Sequence, residues 1–173
     1  MAVWLRTPLV VENDADLIRV SRENPGYRFE REEDGTVVVS PTHTKGGAKS
    51  LAAAVQLYNF AKRVGGKAFD SSTGFAIGPK TRLYMPDAAW VSVARIQAID
   101  PKVADKFWPL SPDVVIEVAS DTDLFGDVVR KVERYIERGS LSAVAVDPRT
   151  RAVVERGVAP TDLALDFDAI IDA

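Results

Sequence analysis

The nine residues SPDVVIEVA, at positions 111–119, are the most informative stretch of the sequence for predicting the fold. Their centre, VVIEV, is apolar on both faces, which is typical of a central strand covered on both sides of a sheet. Residues 122–138 follow with apolar side chains at helical spacing and stop at Gly139, so they predict a helix. The stretch is therefore interpreted as a buried strand connected directly to a helix.

Polar residues precede this helix. Asp121 or Thr122 is the expected N-cap, and Asp123 is favoured by the positive end of the helix dipole. The run DTDLFG begins like a calcium-binding EF-hand loop, but Phe125 and Val132 stand where that loop needs oxygen ligands. An EF-hand is therefore excluded.

Outward from this unit, apolar runs and turn residues predict the remaining elements. Two rows of apolar residues at helical spacing mark a helix over residues 43–64: Leu51, Val55 and Tyr58, and Ala54, Leu57 and Ala61. The other elements are a helix at 14–23, a hairpin of strands 27–32 and 36–40 around Asp34-Gly35, a β-leaning stretch at 68–77, a strand within 83–93, a surface helix or loop at 94–108, and a last strand pair at 141–146 and 151–155.

This order predicts a mixed α/β fold, in which helices pack on one mixed sheet whose middle strands are 85–93 and 111–119. We expect one domain over residues 1–173, with residues 1–41 forming a helix and hairpin extension packed on its core.

The amino-acid composition limits the classes of function that this chain can have. The chain has 173 residues, 46% hydrophobic and 27% charged, as in ordinary globular proteins. Its net charge of −3 and isoelectric point near 5.3 argue against a polybasic nucleic-acid binder, although a local basic patch remains open. The absence of cysteine excludes disulfides and thiolate metal sites, and the single histidine, His43, excludes a two-histidine metal site. Without an apolar run long enough to span a membrane, we expect a soluble cytoplasmic protein.

Glu117 is the residue that least fits its surroundings, because every neighbour in its strand is apolar. An ionised carboxylate there costs several kcal/mol unless a cation, a hydrogen-bond donor or a metal meets it. Asp87 follows Pro86 at the start of the neighbouring apolar strand, so the two carboxylates could share a divalent ion. The alternatives are a buried salt bridge or a solvent-facing strand end for Glu117, and a simple turn residue for Asp87.

Lys131 lies at the edge of the apolar face of the predicted helix. Its side chain could extend along that face to solvent. It could equally point its ammonium group at the carboxylates of the preceding strand, because the connection between strand and helix is short.

The combination of Pro86-Asp87, a strand carrying Glu117 and a helix carrying Lys131 resembles the PD-(D/E)xK phosphodiesterase superfamily. Residues 85–156 resemble more closely the Uma-two family of bacterial restriction-endonuclease-like proteins. The carrying segments are MPD at 85–87, SPDVVIEVAS at 111–120, KVERY at 131–135 and AVDP at 145–148, with a looser fit of YRFE at 27–30, Asp34-Gly35, Ser40-Pro41 and His43.

This resemblance implies a restriction-endonuclease-like core and a divalent-metal site. Asp87, Glu117 and the Val118 carbonyl would hold Mg²⁺ or Mn²⁺, and Lys131 would orient the attacking water or stabilise developing charge. The superfamily lysine is expected two residues after Glu117, where this chain has Ala119, so Lys131 is its replacement from the helix.

Two further residues are candidates with alternatives. Glu30 resembles the auxiliary acid of such sites, and otherwise is an exposed strand glutamate beside Arg31. Tyr135 is either a core residue or a hydrogen-bond donor behind the metal ligands.

The implied function is that of a metal-dependent nuclease or phosphodiesterase acting on nucleic acid, with DNA as the expected partner. The alternatives are a catalytically silent nucleic-acid-binding or protein-interaction module with the same fold, or a structural or regulatory homodimer. A basic run over residues 45–67 is either a solvated face or a track for a phosphate backbone. Trp4, Phe107 and Trp108 are the candidate apolar patch for a homodimer.

Overall fold

The computed structural model describes residues 5–6, 9–32, 34–41, 44–78, 82–103 and 106–173. These residues form a mixed α/β fold with helices packed on two sheets, which confirms the predicted fold class. The helices are α1 (Asp14–Glu23), α2 (Thr44–Val64), α3 (Val93–Gln97), α4 (Phe125–Glu137) and α5 (Phe167–Ile171); the strands are β1 (Tyr27–Arg31), β2 (Val37–Pro41), β3 (Lys67–Asp70), β4 (Phe75–Ala76), β5 (Leu83–Tyr84), β6 (Ala88–Val91), β7 (Val114–Val118), β8 (Ser142–Asp147) and β9 (Ala152–Gly157).

The larger sheet has the strand order β3-β6-β7-β8-β9, with β7 at its centre. β7 pairs antiparallel with β6 and parallel with β8. A parallel pair needs a crossover connection, and α4 provides it. Ile116 packs with the cluster under α2 and Val115 with the cluster under α4, so β7 is buried from both sides as its sequence predicts.

Helix α2 covers one face of this sheet through only one of its two apolar rows. Leu57 is fully buried in the sheet-facing cluster, together with Ala61. Leu51, Val55 and Tyr58 keep 62%, 46% and 57% of their surface exposed. A helix on a sheet can bury only the side that faces the sheet, so the second row lies on the outer surface.

A second, antiparallel sheet has the order β2-β1-β5-β4, so the single sheet predicted from the sequence is wrong. The stretch 83–93 is divided: Leu83–Tyr84 pairs with β4 and β1, whereas Ala88–Val91 pairs with β3 and β7. Pro86 lies at the division, where its missing N–H cannot continue a ladder. The division places Asp87 at the junction of the two sheets, at the start of β6.

Helix α4 begins at Phe125 rather than at residue 122, so the predicted N-cap is wrong. Asp121 and Thr122 belong instead to a turn in which the Ser120 N–H donates to Asp123 Oδ2 at 2.7 Å. The residue before Phe125 makes no capping hydrogen bond with its side chain. Short polar side chains that bond their own backbone favour turns over helices, which explains the delayed start.

Two residues of the apolar patch predicted for a homodimer, Phe107 and Trp108, are partly buried against the core. Trp108 packs edge-on against Phe69 with ring centroids 5.3 Å apart, and Phe107 packs with the Leu83 cluster. Trp4 and His43 lie outside the described residues. Across the part of the chain that the structure describes, no helix has the length and apolar character needed to cross a membrane.

Candidate active site

An open cavity of about 660 Å³ lies where the two sheets meet, between β1, β2, the start of β6, the end of β7 and α4. Its lining includes five basic and seven acidic residues, which gives it a net charge of −2. The lining residues are Arg28, Glu30, Glu32, Asp34, Thr36, Val38, Ser40, Arg82, Asp87, Glu117, Val118, Thr122, Asp123, Leu124, Asp127, Val128, Arg130, Lys131 and Arg134.

Asp87 lies at the inner wall of this cavity and is 5% exposed. Ala88 pairs with Ile116, so continuing the antiparallel register by one residue sets Asp87 opposite Glu117. Asp87 Oδ2 accepts the Val118 N–H at 2.8 Å, directly beside Glu117. The sheet register therefore brings the two predicted carboxylates together from positions 30 residues apart in the chain.

Glu117 is also 5% exposed. Its Oε1 accepts the Tyr135 hydroxyl at 3.0 Å and lies 2.9 Å from Lys131 Nζ. Burial raises the pKa of Glu117 to about 7; Asp87 adds to the increase, and Lys131 opposes it. Near neutral pH this carboxyl is therefore poised between its charged and neutral forms.

Lys131 joins two carboxylates across the cavity. Besides Glu117, its ammonium nitrogen contacts Glu30 Oε1 at 2.8 Å and Oε2 at 3.1 Å. Burial alone would lower the pKa of Lys131, but Glu117 and Glu30 together raise it above its ordinary value. The side chain points at the carboxylates rather than to solvent, so it delivers a cation that Ala119, a buried residue without a charge, cannot supply.

Glu30 reaches the site from the hairpin, 101 residues before Lys131 in the chain. It is buried rather than exposed on its strand, and it also accepts the Met85 N–H. Side chains alternate along a strand, so Arg28, Glu30 and Glu32 face the cavity while Phe29 enters the core. The hairpin thus supplies one polar wall of the site.

Sequence reasoning assigned no role to two residues that contact Asp87. Arg28 Nη1 and Ser50 Oγ each lie 3.0 Å from Asp87 Oδ1. Arg28 and Glu30 flank the apolar Phe29, and this alternation is a signal that could have identified Arg28. For Ser50, one of several polar residues in an alanine-rich helix, the sequence has no comparable signal.

A second polar group lies beside the first. The Tyr84 hydroxyl donates to Glu32 Oε2 at 2.6 Å, and Arg134 Nη1 contacts the same carboxylate at 2.9 Å. Burial, followed by the hydrogen bond to Glu32, raises the pKa of Tyr84 to about 12. These contacts connect α4 to the hairpin and so keep Glu30 near Lys131.

Tyr135 is both a core residue and a hydrogen-bond donor, the two roles that its sequence position left open. Its side chain is fully buried in the core, and its hydroxyl donates to Glu117. Burial, with the Glu117 charge, raises the pKa of Tyr135 well above its ordinary value, so the phenol stays a donor.

Comparisons with known proteins identify the family and the fold. A family model described as "Uma2: Putative restriction endonuclease" matches residues 14–155. Five chains of solved structures match, one of them titled "a putative nuclease belonging to DUF820 from Anabaena variabilis", with a TM-score of 0.65 and 16% identity over 83% of this chain and 89% of that one. At this identity the likeness shows the fold alone. No curated protein matches significantly.

Proposed function

This chain belongs to the Uma2 family, and we propose that it is a cytoplasmic, metal-dependent nuclease that hydrolyses phosphodiester bonds in DNA. The family membership supports a nuclease-type function. The observation that carries the finer proposal is the meeting of Asp87, Glu117 and Lys131 at one wall of the cavity.

The donor set fits Mg²⁺ or Mn²⁺. Mg²⁺ is usually held by one or two carboxylates, with water and phosphate oxygens completing its six ligands. Asp87, Glu117 and the Val118 carbonyl supply oxygen atoms of this kind. Within the described residues no larger cluster of acidic or histidine side chains forms a metal site; in this proposal, water and substrate supply the other ligands. Burial, with a smaller contribution from the Asp87 charge, raises the Glu117 pKa, and the lining carries a net charge of −2; a divalent cation would offset negative charge at this site.

In this proposal each side chain has a defined task. Asp87, Glu117 and the Val118 carbonyl would hold the ion, which when bound would lower the pKa of a water molecule and neutralise phosphate charge. Lys131 orients that water or stabilises the negative charge that develops on the phosphate. Glu30 holds the Lys131 ammonium group in place, and Tyr135 fixes one oxygen of Glu117.

The test combines binding and cleavage. Calorimetric titration with Mn²⁺ should show binding by the wild-type protein and none by Asp87→Asn or Glu117→Gln. Cleavage of plasmid DNA in Mg²⁺ should be lost in the same variants. Glu133→Gln is the matched control, because Glu133 lies on α4 but pairs with Arg156 at 2.9 Å. Wild-type protein that neither binds Mn²⁺ nor cleaves DNA would favour the catalytically silent module.

Self-association is part of the proposal, on a surface different from the one predicted. Leu51, Val55 and Tyr58 form an exposed apolar row on α2, and such rows are typical of interfaces. Light scattering should show a dimer that Val55→Glu dissociates. A wild-type monomer at high concentration would contradict it.

A further inference from the structure

Arg28 reaches across the cavity from β1 to the carboxylate at the junction of the sheets. Its Nη1 lies 3.0 Å from Asp87 Oδ1, and the side chain remains 25% exposed to the cavity. Burial would lower the pKa of Arg28, but Asp87, Glu117 and Glu30 raise it, so the guanidinium is firmly charged. The positive charge of Arg28 therefore contacts the Asp87 carboxylate, which the proposed metal site requires.

Both oxygens of Asp87 accept hydrogen bonds in this arrangement. Oδ1 lies 3.0 Å from both Arg28 and Ser50, and Oδ2 accepts the Val118 N–H. The hydrogen bond from Ser50 to Asp87 can be released at little cost in free energy, because the single hydroxyl proton of Ser50 has a second acceptor, the Gly46 carbonyl, at 2.9 Å. The Val118 N–H is neutral and leaves a lone pair of Oδ2 open. Arg28 is the contact that opposes a cation, because like charges repel.

We propose that Arg28 occupies the place of the divalent ion's positive charge in the metal-free protein, and that the ion displaces it onto the phosphate of the substrate. This inference rests on the metal site of the proposed function. A guanidinium presents paired donors that match two phosphate oxygens. Arg28 lines the same cavity, so a rotation of its side chain keeps it within reach of a phosphate held there.

A coupling between metal and phosphate follows. Once an ion neutralises Asp87 and Glu117, the released guanidinium has lost its main counter-charge, and Glu30 is already engaged by Lys131. A phosphate diester then supplies the missing negative charge. Because coupling free energies are reciprocal, phosphate must tighten metal binding by the same factor by which metal tightens phosphate binding.

The experiment measures Mn²⁺ affinity by calorimetry, with and without dimethyl phosphate, the smallest phosphodiester anion, at constant ionic strength. Arg28→Met should bind Mn²⁺ roughly tenfold more tightly than the wild type without phosphate, because a competing charge is removed. The wild type should bind Mn²⁺ several-fold more tightly with dimethyl phosphate, and Arg28→Met should lose most of this gain, because only direct contact between the ion and the phosphate then remains. Arg28→Lys, which keeps a competing charge, should behave more like the wild type.

Arg130→Met is the matched control, because it removes one positive charge from the same cavity lining, where Arg130 pairs with Asp127, without touching Asp87. Equal tightening in Arg130→Met, or none in Arg28→Met, would overturn the inference while leaving the metal site intact. The absence of phosphate coupling in the wild type would overturn it whether or not the variants fold. No Mn²⁺ binding by either wild type or Arg28→Met would overturn the metal site as well.

Discussion

The buried carboxyl of Glu117 should make the metal-free protein less stable as the pH rises. Folding raises its pKa from 4.5 to about 7. At about 1.4 kcal/mol per pKa unit, this shift corresponds to about 3 kcal/mol of stability lost when the group is ionised. Glu117→Gln keeps the shape and the acceptor oxygen for Tyr135 and removes the ionisation.

The pH window follows from the direction of the shift. Between pH 4.5 and about 7 the folded state binds more protons at Glu117 than the unfolded state does, so the free energy of unfolding falls as pH rises. Above pH 7 both states are ionised and the loss is complete. We therefore expect Glu117→Gln to match the wild type near pH 4 and to exceed it by about 3 kcal/mol at pH 8.

Urea unfolding in a metal chelator, followed by tryptophan fluorescence between pH 4 and 8, measures this difference. Glu133→Gln is the control and should follow the wild-type profile, because exposed ion pairs contribute little. A Glu117→Gln protein that is no more stable than wild type at pH 8 would contradict this prediction. It would show that Lys131 compensates the Glu117 charge fully.

Three further outcomes are expected. Lys131→Met leaves two buried carboxylates without their shared cation, so urea unfolding at pH 8 should show a loss of about 3 kcal/mol, and plasmid cleavage should disappear. Tyr135→Phe removes one hydrogen bond to Glu117 and should cost about 1 kcal/mol, read from the same unfolding assay; an unchanged midpoint would contradict the contact. Leu57→Ala opens a cavity under α2 and should cost about 2–5 kcal/mol, whereas Val158→Ala, at a side chain that is 80% exposed, should stay within about 0.5 kcal/mol; equal losses would contradict the burial of Leu57.

The sequence alone was enough to predict the central strand and helix, β7 and α4, and the charged residues that they carry. The apolar run of β7 with Glu117 inside it and the periodic face of α4 are local patterns, because burial imposes a repeat of two on strands and 3.6 on helices. The short connection from β7 to α4 made the approach of Lys131 to Glu117 foreseeable. A carboxylate among apolar neighbours also signalled that some cation must meet it.

The position of the hairpin, and the side chains that it contributes to the site, could be seen only in the tertiary structure. Glu30 meets Lys131 across 101 residues and Arg28 meets Asp87 across 59, and such contacts depend on the packing of one sheet against another. The division of residues 83–93 between two sheets likewise follows from strand pairing, which no local pattern encodes, although Pro86 permits it. The same holds for α2, whose two apolar rows have equal periodicity, so only contact with the sheet determined which row was buried.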